Sequence, residues 1–151
     1  MIRPLTPTDL PALRRMLQAL ADHDGATRPV ASEAALLAAA FAPDPLIHAV
    51  VAPDGMAIYF PWYSTHRGLP GLFVQDLFVA PHARGTGLAR SLLAATLTHQ
   101  VWGARFIVLA VSAQNTPATR FYAKTGFTPQ GYDMMILEGP ALAELAAKAL
   151  Q

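Results

Sequence analysis

The chain has 151 residues, of which 53% are hydrophobic and 14% charged, with a formal net charge of +1. That balance excludes a disordered segment and provides no global basic field for nucleic acid. The lack of any cysteine excludes disulfides, thiolate metal sites and a cysteine nucleophile.

Residues 2–5 read as a short strand. Thr6, Pro7 and Asp9 then form a helix start, and Leu10, Leu13, Leu17 and Leu20 repeat at helical spacing to about Ala21. After a loop at 25–29, Ser32 and Glu33 open an Ala-rich helix that stops before Pro43 and Pro45. A strand at 47–51, a Pro53-Asp54-Gly55 turn and a strand at 56–63 make an antiparallel pair. Residues 66–71 read as a loop and 72–79 as the next strand, ended by Pro81. A helix is predicted from about Gly85 to Trp102, stopped by Gly103. The apolar run 106–111 suits a central strand covered on both faces, so strand, helix and strand imply a right-handed parallel crossover. Asn115 caps a helix through Lys124, and Gly126 ends it. Residues 127–137 hold one or two final strands, and 140–150 a short helix. The expectation is an α+β fold: one domain over residues 1–151, a mixed sheet and helices on both faces. No run approaches the ~20 apolar residues of a membrane helix and the first residues lack a signal stretch. The protein is therefore expected to be cytoplasmic, without membrane or nucleic-acid partners.

The segment with the most chemical content is Leu77-Phe78-Val79-Ala80-Pro81-His82-Ala83-Arg84-Gly85-Thr86-Gly87-Leu88-Ala89. A strand runs through a glycine turn into a helix. Gly85 and Gly87 let backbone amides approach a ligand, and the helix start adds unpaired amides and a positive dipole end. The result suits a pyrophosphate, with charge from Arg84 and a hydroxyl from Thr86. It is neither a Walker loop nor the three-glycine dinucleotide pattern. An ordinary glycine turn into a helix is the other reading of these residues.

Arg84-Gly85-Thr86-Gly87-Leu88-Ala89 resembles the Arg/Gln-x-x-Gly-x-Gly/Ala signature of the GCN5-related N-acetyltransferase (GNAT) superfamily. The run from Asn115 through Phe121, Tyr122, Lys124, Gly126 and Phe127 resembles that family's second signature. Tyr59-Phe60, Tyr63-Ser64-Thr65, the strand Val74-Gln75-Asp76-Leu77-Phe78-Val79, and Gly131-Tyr132 are similar to the spermidine/spermine (diamine) and thialysine acetyltransferase branch. That branch has Glu-Asp where this chain has Gln75-Asp76. The resemblance implies a GNAT-like, mostly antiparallel sheet, acetyl-CoA as co-substrate, a small primary amine as acceptor, and a homodimer. A protein N-terminus or lysine as acceptor, or a non-catalytic CoA-binding module, are the alternatives.

The resemblance implies direct attack of the amine on the thioester. The amine must be neutral although its ordinary pKa is about 10.4, and the developing oxyanion needs a donor. Tyr122 is the implied proton donor to the departing sulfur, and also a cofactor contact; packing of its helix beside Phe121 is the other reading of this residue. Backbone amides of Leu77, Phe78 and Val79 are the implied oxyanion donors. The resemblance implies that Arg84, Gly85, Thr86, Gly87, Leu88 and Ala89 bind the pyrophosphate, and that Asn115 contacts the cofactor or the adjacent strand while capping its helix. Strand alternation puts Asp76 with Val74 and Phe78 on one face, and Gln75 with Leu77 on the other. Asp76 either binds or deprotonates the substrate amine or is a carboxylate paired within the fold. Gln75 and Tyr63 complete the expected substrate contacts; Tyr59, Trp62 and Tyr63 either edge a pocket or pack the sheet. His23, His48, His66, His82 and His99 are scattered without metal-ligand spacing, so no metal is expected, and His66 and His82 are expected to face solvent.

Overall fold

The computed structural model describes residues 1–148. It divides into two compact units, Met1–Ala113 and Gln114–Gln151. The first holds a five-stranded sheet in the order β1 (Arg3–Pro4), β2 (His48–Ala52), β3 (Gly55–Ser64), β4 (Leu69–Val79) and β5 (Ile107–Leu109). All neighbours are antiparallel except β4 and β5, which are parallel across an intervening helix.

Helices cover both faces. Helix α1 (Leu10–His23) packs on β3 and β4 and against α2 (Glu33–Phe41), while α3 (Leu88–His99) packs on β2, β3 and β4. Leu10, Leu13 and Leu17 bury the α1 stripe against Ala49, Val51, Met56, Ile58 and Phe78. Residues of the other parity, Val50, Ala57, Tyr59 and Val74, are also buried and face α3 with Leu92 and Leu93. Gly55 belongs to that second set: a Cβ there would lie 2.9 Å from a Leu92 methyl and 2.8 Å from the Phe78 carbonyl.

Local chemistry sets most boundaries as expected. The Ser32 hydroxyl accepts from Ala35 N at 3.1 Å and starts α2. Asp9 accepts from Thr6 N and from both terminal nitrogens of Arg3 at 2.6–2.8 Å. This network fixes β1 to the single 3-10 turn before α1.

Several boundaries differ. β4 begins at Leu69, not Leu72, because Gly71 pairs with Trp62 inside the sheet. Phe106 lies across it, and a Cβ at Gly71 would come 2.4 Å from that ring. Helix α3 ends at His99, short of Trp102 and Gly103. Gln100 turns extended, and its side-chain oxygen accepts from Trp102 N and Ala104 N at 3.0 Å. Trp102 is thereby released to the α3 face of the sheet, beside His48 and Tyr59, and its indole N–H donates to Gly71 O at 2.8 Å. β5 is not a central strand but the end of the sheet, half-buried and three residues long. Its ladder stops at Leu109, opposite Val74, because β4 bulges at the next residue.

The second unit contains α4 (Thr116–Thr125) and α5 (Gly139–Lys148). Asn115 Oδ1 accepts from Ala118 N at 3.3 Å, and Gly126, at φ +112, ends α4 as expected. The final strands expected over residues 127–137 do not form; this stretch has no strand among the described residues. Apolar, β-prone side chains make a strand only against a ladder partner. Here Pro129 and Gly131, at φ +72, also interrupt the extended run. The last two residues of the helix expected to reach 150 lie outside the described residues.

Candidate active site

β4 carries the first part of the site. Ile58 pairs with Asp76 but Tyr59 pairs with Val74, so Gln75 is an extra residue without a partner. Directly paired residues share a face. Asp76 therefore lies with Ile58 and Phe78 on the α1 face, and Val74 with Tyr59 on the α3 face. This corrects the simple alternation, which put Asp76 and Val74 together; one bulge reverses the parity. Gln75 is exposed at the bulge and Asp76 is half-buried.

The same bulge turns the backbone. Ala80 N donates to Asp54 O at 2.8 Å, which extends the β3 ladder beyond Val79. Peptide groups alternate in direction along an antiparallel strand, so those of Phe78 face β3. Those of Leu77 and Val79 face the other flank, where β5 no longer pairs with β4. At that flank Arg84 Nε donates to Val79 O at 3.3 Å.

The glycine turn follows. Gly85 and Gly87 sit at φ +78 and +88, with nothing within 4 Å of where a Cβ would be. Their glycines answer a conformational demand rather than lack of space. Because neither is helical, α3 begins at Leu88 instead of Gly85. Ser91 N makes the first helical bond, to Gly87 O at 3.0 Å, leaving the amides of Leu88, Ala89 and Arg90 without helical acceptors. Thr86 Oγ1 donates to Ala83 O at 2.6 Å, so its hydroxyl proton secures the turn itself. Donors of this kind fit a pyrophosphate, and among the described residues no group of three acidic or imidazole side chains is arranged to hold a metal.

Electrostatics mark the α1 side. Burial, and then the charge of Asp24, raise the Asp76 pKa above the ordinary carboxylate value. Asp24 is the C-cap of α1, where helix carbonyls add partial negative charge. Sequence reading missed Asp24: it is far from Asp76 along the chain, and an aspartate after a helix has no distinctive local pattern. On the α3 face, burial pushes the Tyr59 hydroxyl up to about 12 and His48 down, beside Trp102. Tyr59 is thus a packed core residue.

Of the other expected residues, Tyr63 is not brought to the bulge. It pairs with Pro70, four residues beyond Tyr59 along β3, or about 13 Å at the usual rise, and is 60% exposed. His82, expected to face solvent, is 72% exposed yet lies 3.0 Å from Asp54. In the second unit Tyr122 is on α4, its ring against Phe121 and Phe127 at 5.3 and 5.4 Å.

Proteins of known structure share the fold, and several acetyltransferases share part of the sequence. An integron cassette protein from the mobile metagenome of V. cholerae superposes with a TM-score of 0.75 at 20% identity, over 97% of this chain and 96% of that one. An aminoglycoside acetyltransferase from an uncultured soil sample superposes at 0.72 and 16% identity, over 92% and 95%. A mycothiol acetyltransferase of Arthrobacter sp. (strain FB24) is 36% identical over 90 residues, 56% of this chain but 28% of that protein. The chain therefore matches under a third of that relative's length. An uncharacterized N-acetyltransferase of Mycobacterium tuberculosis (strain ATCC 25618 / H37Rv) is 45% identical over 59 residues, 38% of each chain. The family model described as Acetyltransferase (GNAT) family matches residues 13–127, from α1 through the glycine turn to Phe127. With that span matched, and with the sheet and turn arranged as above, the chain belongs to the GNAT acetyltransferase family.

Proposed function

We propose that this protein, as one catalytic domain, transfers acetyl from acetyl-CoA to a primary amine on a small cationic molecule by direct attack. One observation carries the reading: at the Gln75 bulge β4 parts from β5, and the freed flank runs from the Leu77 and Val79 peptide groups into the unpaired amides of the glycine turn and α3. An extended strand edge suits the amide-bearing arm of CoA, and the helix start suits its pyrophosphate. The bound co-substrate supplies an activated acetyl carbon. In this reading Gly85, Thr86, Gly87, Leu88 and Ala89 hold the phosphates with Arg84, and the Leu77, Phe78 and Val79 segment offers N–H groups to the developing oxyanion. Asn115 and Tyr122 are assigned a cofactor contact and the proton donor to sulfur by their place in the family's second signature.

The acceptor side is supported by charge. Asp76, Asp24 and the carbonyl end of α1 favour a cation. Asp76 is placed to bind the ammonium group or to take its proton through water, while Gln75 at the bulge can hydrogen-bond but not ionise. A polyamine or diamine acceptor, and a homodimer, are the finer expectations of the branch resemblance.

Incubation of the protein with acetyl-CoA and a panel of diamines, polyamines, amino sugars and lysine analogues, read as free CoA thiol, tests the reading. Turnover is expected, and Tyr122→Phe should lower it more than it lowers CoA affinity. Thermal stabilisation by CoA without turnover on any amine would leave a binding module instead.

A further inference from the structure

Residues 80–84 lead from β4 into the glycine turn. An open cleft of about 470 Å3 lies beside it, bordered by Ile2, Asp54, His82, Thr86, Leu88 and Ser91. One hydrogen bond and one close polar contact join this approach to the turn between β2 and β3. Ala80 N donates to Asp54 O at 2.8 Å, and His82 Nε2 lies 3.0 Å from Asp54 Oδ1. The first merely continues the sheet. The second lies past the end of the ladder, two residues before Arg84, and joins side chains that are 72% and 45% exposed. Core packing therefore does not require it.

The carboxylate is also the wrong sign for its surroundings. Asp54 borders the same cleft as Thr86 and Leu88, next to a turn suited to a polyanion. By Coulomb's law alone its charge weakens binding there. A compensating task is the contact with His82, which ties down the single 3-10 turn Pro81–Ala83 leading to Arg84.

We propose that Asp54 is a positioning residue, whose carboxylate holds His82 and thereby fixes the segment presenting Arg84 and the glycine-turn amides, so that it strengthens CoA binding despite its charge. This rests on the glycine turn being the CoA pyrophosphate site. The sign of the effect separates the two roles: an aspartate acting only through its charge weakens CoA binding, and one that positions the turn strengthens it.

The test is calorimetric titration of the full chain with CoA and with pantetheine, which lacks the phosphates and nucleotide. Wild type should bind CoA more tightly than pantetheine. Asp54→Ala should weaken CoA roughly threefold, within the range of an exposed charge-assisted pair, and leave pantetheine unchanged. His82→Ala should match it, the double variant should add nothing, and Asp54→Asn, which keeps an acceptor oxygen, should retain most of the affinity. Unchanged or tighter CoA binding by Asp54→Ala overturns the proposal, as do additive single effects or an equal loss for pantetheine. A wild type that does not distinguish CoA from pantetheine overturns the assignment of the turn as well.

Discussion

Gly87 gives a graded test of the turn. It sits at φ +88 and ψ 0 immediately before α3, with open space where a Cβ would project. Substitution therefore meets no clash, and the cost is conformational. A left-handed residue with a Cβ costs about 1–2 kcal/mol, of which ~0.4–1 kcal/mol is offset by the stiffer unfolded chain. Gly87→Ala should then cost about 1 kcal/mol, or roughly 2–4 °C in Tm for a chain of this size. Asparagine tolerates the left-handed region best among side chains that carry a Cβ, and β-branched valine worst. Stability should fall in the order Gly, Asn, Ala, Val. If the chain escapes strain by rotating φ, the amides of the turn move, and CoA affinity should fall in the same order. Thermal unfolding with and without CoA reads both quantities, since each tenfold loss of affinity removes about 1.4 kcal/mol of ligand stabilisation at saturation. An alanine variant as stable and as CoA-responsive as wild type, or an asparagine variant worse than valine, would refute the reasoning.

Asp76→Asn should stabilise the fold near neutral pH while lowering turnover. The folded carboxyl has a raised pKa, so its contribution is favourable below the ordinary carboxylate value and is lost as pH rises through the folded one; pH-dependent unfolding of both proteins checks the difference. Asp9 has the opposite sign. Hydrogen bonds from Arg3 and Thr6 hold it well below the usual carboxylate range, so its stabilisation is present above the ordinary value and disappears as pH falls through the lowered one. Asp9→Ala should cost about 1 kcal/mol at neutral pH, as for a lost helix cap, and should flatten the acid limb of the stability curve. Gly71→Ala should destabilise by about 1–3 kcal/mol through overpacking against Phe106, and Phe106→Leu in the same chain should recover part of the loss in a urea titration.

Local signals made much of the fold legible. The leucine stripe of α1, the Ser32 and Asn115 caps and the Asp54-Gly55 turn each act within a few residues, and each is found where the sequence places it. What failed depends on partners distant in sequence. Trp102 continues a helical pattern, but His48, Tyr59 and the Gly71 carbonyl draw it out of the helix. Residues 127–137 have strand-like composition without a ladder to join. Gly71 looks like loop punctuation, whereas it marks where Phe106 crosses the strand. At the site, Gly85 and Gly87 were readable because a left-handed turn selects its residue type. Neither the effect of the Asp24 charge on Asp76 nor the contact of Asp54 with His82 has a local signature.

The unpartnered Gln75 makes β4 behave as two strands joined out of phase. Before it, even-numbered side chains look toward α3; after it they look toward α1, and the outward-turned peptides change from Leu72 and Val74 to Leu77 and Val79. In the proposed reading, the acidic acceptor side and the cofactor flank both begin just past this one residue. Removing Gln75 would leave Val74 opposite Tyr59 and Asp76 opposite Ile58 in plain alternation, so no face would invert; it would erase only the irregularity at which β4 parts from β5.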